Sequence, residues 1–219
     1  VQHLEGGIVK KIYLNSGDIV NKGDMLLELE PTKTLSNFTE LEKRLINLSI
    51  NISRLRAESE LKRPVYKKNI KNNYPILVEE SRKLYNVRTK RYRASIFEQK
   101  QILKNETDSL KLLEEQIEIS KSLLEEQLTN RLSHLNLLKE KNKIIEKIEN
   151  ADSKIKNIKE SYFAEVRTML LEETSEYEEL KERKTSLQDS LNRTVVKSPE
   201  NGIIKQRFVD TIGGVIKAG

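Results

Sequence analysis

The chain has no cysteine and no tryptophan, and its 219 residues include only four prolines and eight glycines. Without cysteine there is no disulfide framework, no thiolate nucleophile and no Cys-based zinc site. The two histidines, His3 and His134, stand far apart in sequence, which argues against a His-based metal site. No apolar run reaches the roughly 18 residues that cross a bilayer as a helix, and no signal peptide is visible. There is no G-x-x-x-x-G-K-[ST] loop to cradle phosphates, no G-x-S-x-G elbow and no H-E-x-x-H pair. The acidic side chains sit on what read as solvated helical faces, with no pocket to shift their pKa values. No catalytic residue, metal site or cofactor is therefore expected.

Aromatic residues make up 5% and hydrophobic residues 36% of the chain. That is too little bulky apolar mass for one thick core, but enough for narrow seams on long helices. Charged residues make up 34%, with a net charge of +6. Lys and Glu alternate along stretches such as residues 111–126, the pattern of a solvated helix face rather than a nucleic-acid surface. One basic concentration stands out, from Lys62 to Arg93. It includes Lys67, Lys68, Lys71, Arg82, Lys83, Arg88, Lys90, Arg91 and Arg93, and reads as a solubilising or partner-docking stretch.

Hydrophobic periodicity divides the chain. Residues 1–33 read as short strands, with Gly6-Gly7 before IVKKIYL and two Gly-containing turns, Asn15–Asp18 and Asn21–Asp24. Phe38, Leu41, Leu45, Leu48, Ile52 and Leu55 then alternate spacings of three and four, which predicts a first helix with a coiled-coil seam over 34–62. Residues 63–77 carry Pro64, Pro75 and an Asn pair and read as a loop. A second helix is predicted over 78–128, with Ile96, Leu103, Leu110, Ile117 and Leu124 every seventh residue. About 50 helical residues give a length of roughly 75 Å. Thr129 to Arg131 form the expected hairpin tip, with Asn130 capping the next helix. The third helix is predicted over 132–192, with Ile148, Ile155, Tyr162 and Met169 in its seam. Strand character returns over 193–219, where Arg193–Pro199 and IIKQRFV read as strands. Each terminal half-sheet is too small to bury a core alone. The simplest solution is one β-domain built from both ends and split by an antiparallel helical hairpin.

These motifs resemble a known family. Gly7 to Glu30 follows G-x-V-x-x-I-x-L-x-x-G-D-x-V-x-x-G-D-x-L-L-x-L-E and looks like half of a biotinyl/lipoyl domain. Arg193-Thr194, Ser198-Pro199, Asn201–Ile204 and Thr211–Val215 look like the other half. In this order around a helical hairpin, they resemble the HlyD-type membrane fusion proteins, the periplasmic adaptors of type I secretion. His3 to Val9 is similar to the start of the family's lipoyl half, and Leu77–Glu80 with Leu84, Tyr85 and Arg88 to the start of its long helix. Leu123 to Arg131 resembles the family's tip, usually written with a Gly-Leu-x-Ser-Arg core. Here Gln127 stands for the Gly and Asn130 for the Ser.

The resemblance implies a mostly α fold with a small β-domain, in which a long antiparallel coiled-coil hairpin of three helices is inserted into a split lipoyl-like domain. It implies an adaptor linking an inner-membrane ABC transporter to a TolC-like outer-membrane channel for one-step export of unfolded protein substrates. Self-association into a ring of six is expected, with a periplasmic location and an inner-membrane anchor outside this sequence. The docking tip would comprise Leu124, Leu128, Thr129, Asn130 and Arg131. No nucleic-acid partner is implied. The alternatives are a drug-efflux membrane fusion protein, a purely structural coiled coil, and a lipoyl or biotin carrier. The carrier reading would use Lys33 in Glu30-Pro31-Thr32-Lys33-Thr34, but a helix predicted to follow at once leaves no exposed β-turn for a swinging arm. The helical seams are expected to pack within one hairpin, with no second apolar face evident, so the isolated chain is expected to be monomeric or weakly associated.

Overall fold

The computed structural model describes residues 4–209 and 211–217. Among these, the elements run β1 (Gly7–Ile12), β2 (Ile19–Val20), β3 (Met25–Leu29), α1 (Thr32–Ser59), α2 (Lys68–Asn73), α3 (Pro75–Glu125), α4 (Arg131–Arg193), β4 (Val195–Lys197), β5 (Gly202–Ile203) and β6 (Val215–Ile216). The chain is mostly α, with a small antiparallel β-domain whose two halves lie on either side of the helices in sequence. Two compact units are formed, one by residues 1–49 with 174–219 and the other by residues 50–173.

The first unit holds all six strands. A four-stranded sheet has the order β4-β3-β1-β6, and β2 pairs with β5 separately. Every pairing is antiparallel, and only β1–β3 joins strands of the same half. Two copies of one turn, Asn-x-Gly-Asp, organise this assembly. In each, the Asp carboxylate accepts the Asn N–H, at 2.7 Å for Asn15 and 2.8 Å for Asn21. Gly17 and Gly23 take φ of 97° and 94°, which a side chain would resist. Each turn then donates its Gly N–H to the far half of the chain and accepts an N–H back at its Asp carbonyl. Ile204 makes this exchange with the first turn and Ser198 with the second. The core between the strands is thin: Val9, Val20 and Leu29 are its buried apolar side chains. In the same unit the base of α1 meets the end of α4 through Lys184–Glu42 (2.6 Å) and a two-pronged Arg44–Glu176 pair.

The second unit is helical. Tyr92 stacks on Tyr162 with centroids 4.4 Å apart, Lys147 meets Glu106, Lys141 meets Glu114, and His134 meets Ser120. In each pair the partners stand equally far from Gln127 along the chain, to within one residue, so α3 and α4 run antiparallel in constant register. Leu113, Ile117, Ala151 and Ile155 are buried along this seam. The end of α1 adds a third helix near the hairpin's base. Leu55, Val78, Tyr85 and Val166 are buried there, each apolar side chain of this size contributing roughly 1.5–3 kcal/mol. Glu58, fully buried, accepts from Arg54 at 2.6 Å, Arg88 at 2.8 Å and Tyr162 at 3.4 Å, drawing α1, α3 and α4 together.

The structure corrects several expectations. The stretch 63–77 is not a pure loop. Lys68–Asn73 makes one short helix around buried Ile70, and α3 starts at Pro75, whose missing N–H costs nothing in a first turn. Among the described residues the helices therefore number four, not three. The first ends at Ser59 rather than residue 62, because the Leu61 N–H bonds to Glu58 O and the Lys62 N–H to Ala57 O, closing the end with Leu61 at φ 54°. IIKQRFV is a strand only at its start. The strand is Gly202–Ile203, and Phe208 is 87% exposed. Val215–Ile216, not among the segments read as strands, pairs with β1. Lys33 lies in the first turn of α1, on helical backbone.

Candidate docking tip

The hairpin reverses over residues 126–130. The Gln127 N–H bonds to Leu124 O and the Leu128 N–H to Leu123 O, a pair of bonds that closes the end of α3 with one left-handed residue. That residue is Gln127, at φ 62°. The resembled motif has Gly at this position, and the left-handed backbone is the physical reason a Gly would suit it. Asn130 starts α4: its Oδ1 accepts the Ser133 N–H at 2.8 Å, the geometry of an N-cap.

Of the residues expected at the tip, Leu128, Asn130 and Arg131 are exposed, while Leu124 and Thr129 are half-buried. Leu124 faces along the α3–α4 seam and belongs to packing as much as to the tip. The turn brings the other four together. Sequence reasoning missed two apolar residues beside them, Leu132 (68% exposed) and Leu135 (48%), which join the exposed Leu128 (70%) and Leu123 (38%). On α3, Leu112 and Ile119 are also exposed, seven residues apart, and Leu123 follows four residues later. These three share one face, well away from the buried face carrying Leu113 and Ile117. A second apolar stripe therefore exists, contrary to the expectation of a single seam. Its signal was present in the sequence as Leu112 and Ile119, in phase with each other but out of phase with Leu110 and Ile117.

The tip's charges oppose the helix dipoles. α3 ends on Glu125 and Glu126 with no basic residue in its last turn, and α4 starts on Arg131 with no acidic residue in its first. Carboxylates at a C-terminus and a cation at an N-terminus each cost about 0.3–1 kcal/mol relative to the reverse placement. Among the described residues Arg131 takes part in no ion pair that would offset this. Helix stability does not account for these choices. Among the described residues no cluster of His, Cys, Asp and Glu could hold a metal, and no helix is long and apolar enough to cross a membrane. His134 is hydrogen-bonded to Ser120, and His3 lies outside the described residues.

No protein-family model matches the chain. The chain is 24% identical over 253 aligned positions to the type I secretion system membrane fusion protein PrsE of Rhizobium meliloti (strain 1021), covering 100% of this chain and 58% of PrsE. It is 40% identical over 63 residues to the alkaline protease secretion protein AprE of Pseudomonas aeruginosa, covering 29% of this chain and 15% of AprE. The chain thus spans less than two thirds of these relatives. In fold it is similar to the soluble domain of LipC, a membrane fusion protein of a type I secretion system. The TM-score is 0.69 at 21% identity, over 100% of this chain and 95% of the other. Along its whole length the chain is thus similar in sequence to one membrane fusion protein of a type I secretion system, and it shares the fold of the soluble domain of another.

Proposed function

We propose that this chain is the adaptor arm of a type I secretion system. In that role it would stand in the periplasm, joined through parts outside this sequence to the inner membrane. It would link an ABC transporter to a TolC-like outer-membrane channel for export of unfolded protein substrates. The tip carries this reading: Leu128, Thr129, Asn130 and Arg131 form an exposed end whose charges work against helix stability, as a surface shaped for a partner would. A positive end formed by Arg131 and the α4 N-terminus would meet acidic or carbonyl groups at the channel mouth, and Leu128 and Leu132 would supply apolar contact. Assembly into a ring of six would place hairpins side by side, and the Leu112, Ile119 and Leu123 stripe offers the apolar face such a contact needs.

The test is export. Arg131→Asp in the full-length adaptor is expected to abolish secretion while the protein accumulates normally and still co-purifies with its transporter. Secretion at the unmodified level by that variant refutes the tip assignment.

A further inference from the structure

Apart from Arg88, the cations of the basic stretch noted in the sequence have no part in the tip or the helical packing. From Lys62 to Arg93 there are eleven cations and only two carboxylates, Glu79 and Glu80. The fold sorts these cations into two groups. Arg88 turns inward to Glu58 and Glu165, while Lys62 and Lys83 are held by their neighbours Glu60 and Glu80. Arg63, Lys90 and Arg93, by contrast, take part in no ion pair among the described residues. Arg82 reaches a carboxylate only at 4.0 Å, on Glu79.

Arg63, Arg82 and Arg93 converge on one concavity, and Lys90 lies in the depression beside it. A groove of about 830 Å³ runs between the loop after α1 and the start of α3, with Arg63, Arg82, Arg93 and Asn86 on its walls and Tyr85 and Thr89 at its floor. A shallower depression of about 510 Å³ continues from it, sharing Arg93 and adding Lys90 and the 64% exposed ring of Phe97. No carboxylate lines either part. The loop wall is held in place: the Tyr66 hydroxyl bonds to Ser81 Oγ at 3.0 Å, the Arg82 guanidinium lies 5.7 Å from the Tyr66 ring, and Pro64 stiffens the chain.

We propose that this groove binds an acidic polypeptide segment, with side-chain carboxylates on Arg63, Arg82 and Arg93 and an apolar side chain against Phe97. Guanidinium forks match carboxylates in two-pronged, charge-assisted bonds, and a preformed groove loses little entropy on binding. The remaining polar group, Asn86, suits peptide backbone. Nucleic acid is the poorer fit, because tracking a strand requires successive exposed rings for base stacking, and Tyr66 and Tyr85 are buried, leaving Phe97 alone. A lipid surface is also the poorer fit, since the cations line a hollow rather than a projecting face. This site is separate from the tip and does not depend on the secretion reading.

The experiment is fluorescence anisotropy with the 219-residue chain and a fluorescein-labelled (Asp-Asp-Leu)4 peptide at about 0.1 M salt. The Asn-Asn-Leu counterpart, a single-stranded oligonucleotide and phosphatidylglycerol vesicles are run alongside. The acidic peptide is expected to bind and the neutral one not to. Arg63→Glu with Arg93→Glu is expected to weaken binding by about tenfold or more. Lys154→Glu with Lys159→Glu, an equal charge change on an exposed part of α4, is expected to change it less than about twofold. Far-ultraviolet circular dichroism checks helicity, and the milder Arg63→Gln with Arg93→Gln pair is expected to reproduce the direction of the loss. No binding of the acidic peptide, equal loss in the two charge-reversed proteins, or tighter binding of the oligonucleotide or vesicles through the same arginines would each overturn the proposal.

Discussion

At the scale of single residues, Glu58 is the most heavily constrained group in the helical unit. It is fully buried, and such a carboxylate is tolerable only because two guanidinium groups and a phenol meet its oxygens. Removing one partner from a buried ion pair costs about 3–5 kcal/mol, so the network specifies which turn of α1 lies against α3 and α4. Tyr162 registers that environment. Burial first, and then the negative charge of Glu58, push its phenol up to about 12. The unfolded chain releases this proton near pH 10, while the folded chain keeps it. Between pH 10 and about 12 the folded state therefore holds more protons, and stability falls as pH rises through that window. Tyr162→Phe has no proton to lose there. Its urea midpoint is expected to fall less between pH 9 and pH 11 than that of the unmodified chain. Equal falls would mean that burial and Glu58 do not raise this phenol. None of this could be read from the sequence, where Glu58 is one acidic residue on an apparently solvated helix and only its spacing of four from Arg54 hints at a partner.

At the scale of elements, helices were legible and their ends less so. The three- and four-residue spacings from Phe38 to Leu55 and the heptads around Ile117 and Ile155 follow the buried faces, because only residues of one phase meet a neighbouring helix. The ends depend on local bonding that composition does not reveal. Leu61 and Gln127 both adopt left-handed backbone without being Gly or Asn, so neither terminus carries the usual signal. At Gln127 this conformation costs roughly 1 kcal/mol relative to a residue at ease there. Gln127→Gly removes that cost, and the gain belongs to the turn rather than to the whole chain. Hydrogen exchange at the amides of Gln127 and Leu128, which donate the two closing bonds, is expected to slow by a few-fold up to about tenfold. Unchanged or faster exchange would show that the turn carries no such strain. The tip residues Thr129 to Arg131 were visible through capping chemistry and family likeness. The exposed Leu132 and Leu135 beside them were not, because Leu in a heptad-rich helix is first assigned to the seam.

At the scale of the whole molecule, the arrangement follows from what each end of the chain lacks. Residues 7–29 hold three strands but can complete only the β1–β3 pair among themselves, and residues 195–216 hold three strands with no pairing of their own. The paired Asn-x-Gly-Asp turns show the dependence most directly, since each exchanges two backbone hydrogen bonds with the other half: Gly17 and Asp18 with Ile204, Gly23 and Asp24 with Ser198. Similar patterns at the two ends of the sequence made this assembly foreseeable. The strand order was not, because β3 could have paired with β2, its neighbour in sequence, rather than with β4. Ending the chain after Arg193 removes β4, β5 and β6 together and leaves β2 with no partner and β1 and β3 as a two-stranded hairpin, marginal in water. The buried side chains of Val9, Val20 and Leu29 would then lose one wall of a core that is already thin. The helical unit keeps all its internal partners, since the Glu58 network and the α3–α4 seam lie within residues 50–173. A chain truncated after Arg193 is therefore expected to retain nearly all its helical circular dichroism while the amides of Val9, Val20 and Leu29 lose exchange protection by at least about a hundredfold. Persistent protection at those three amides would show that the first half-domain folds without the second.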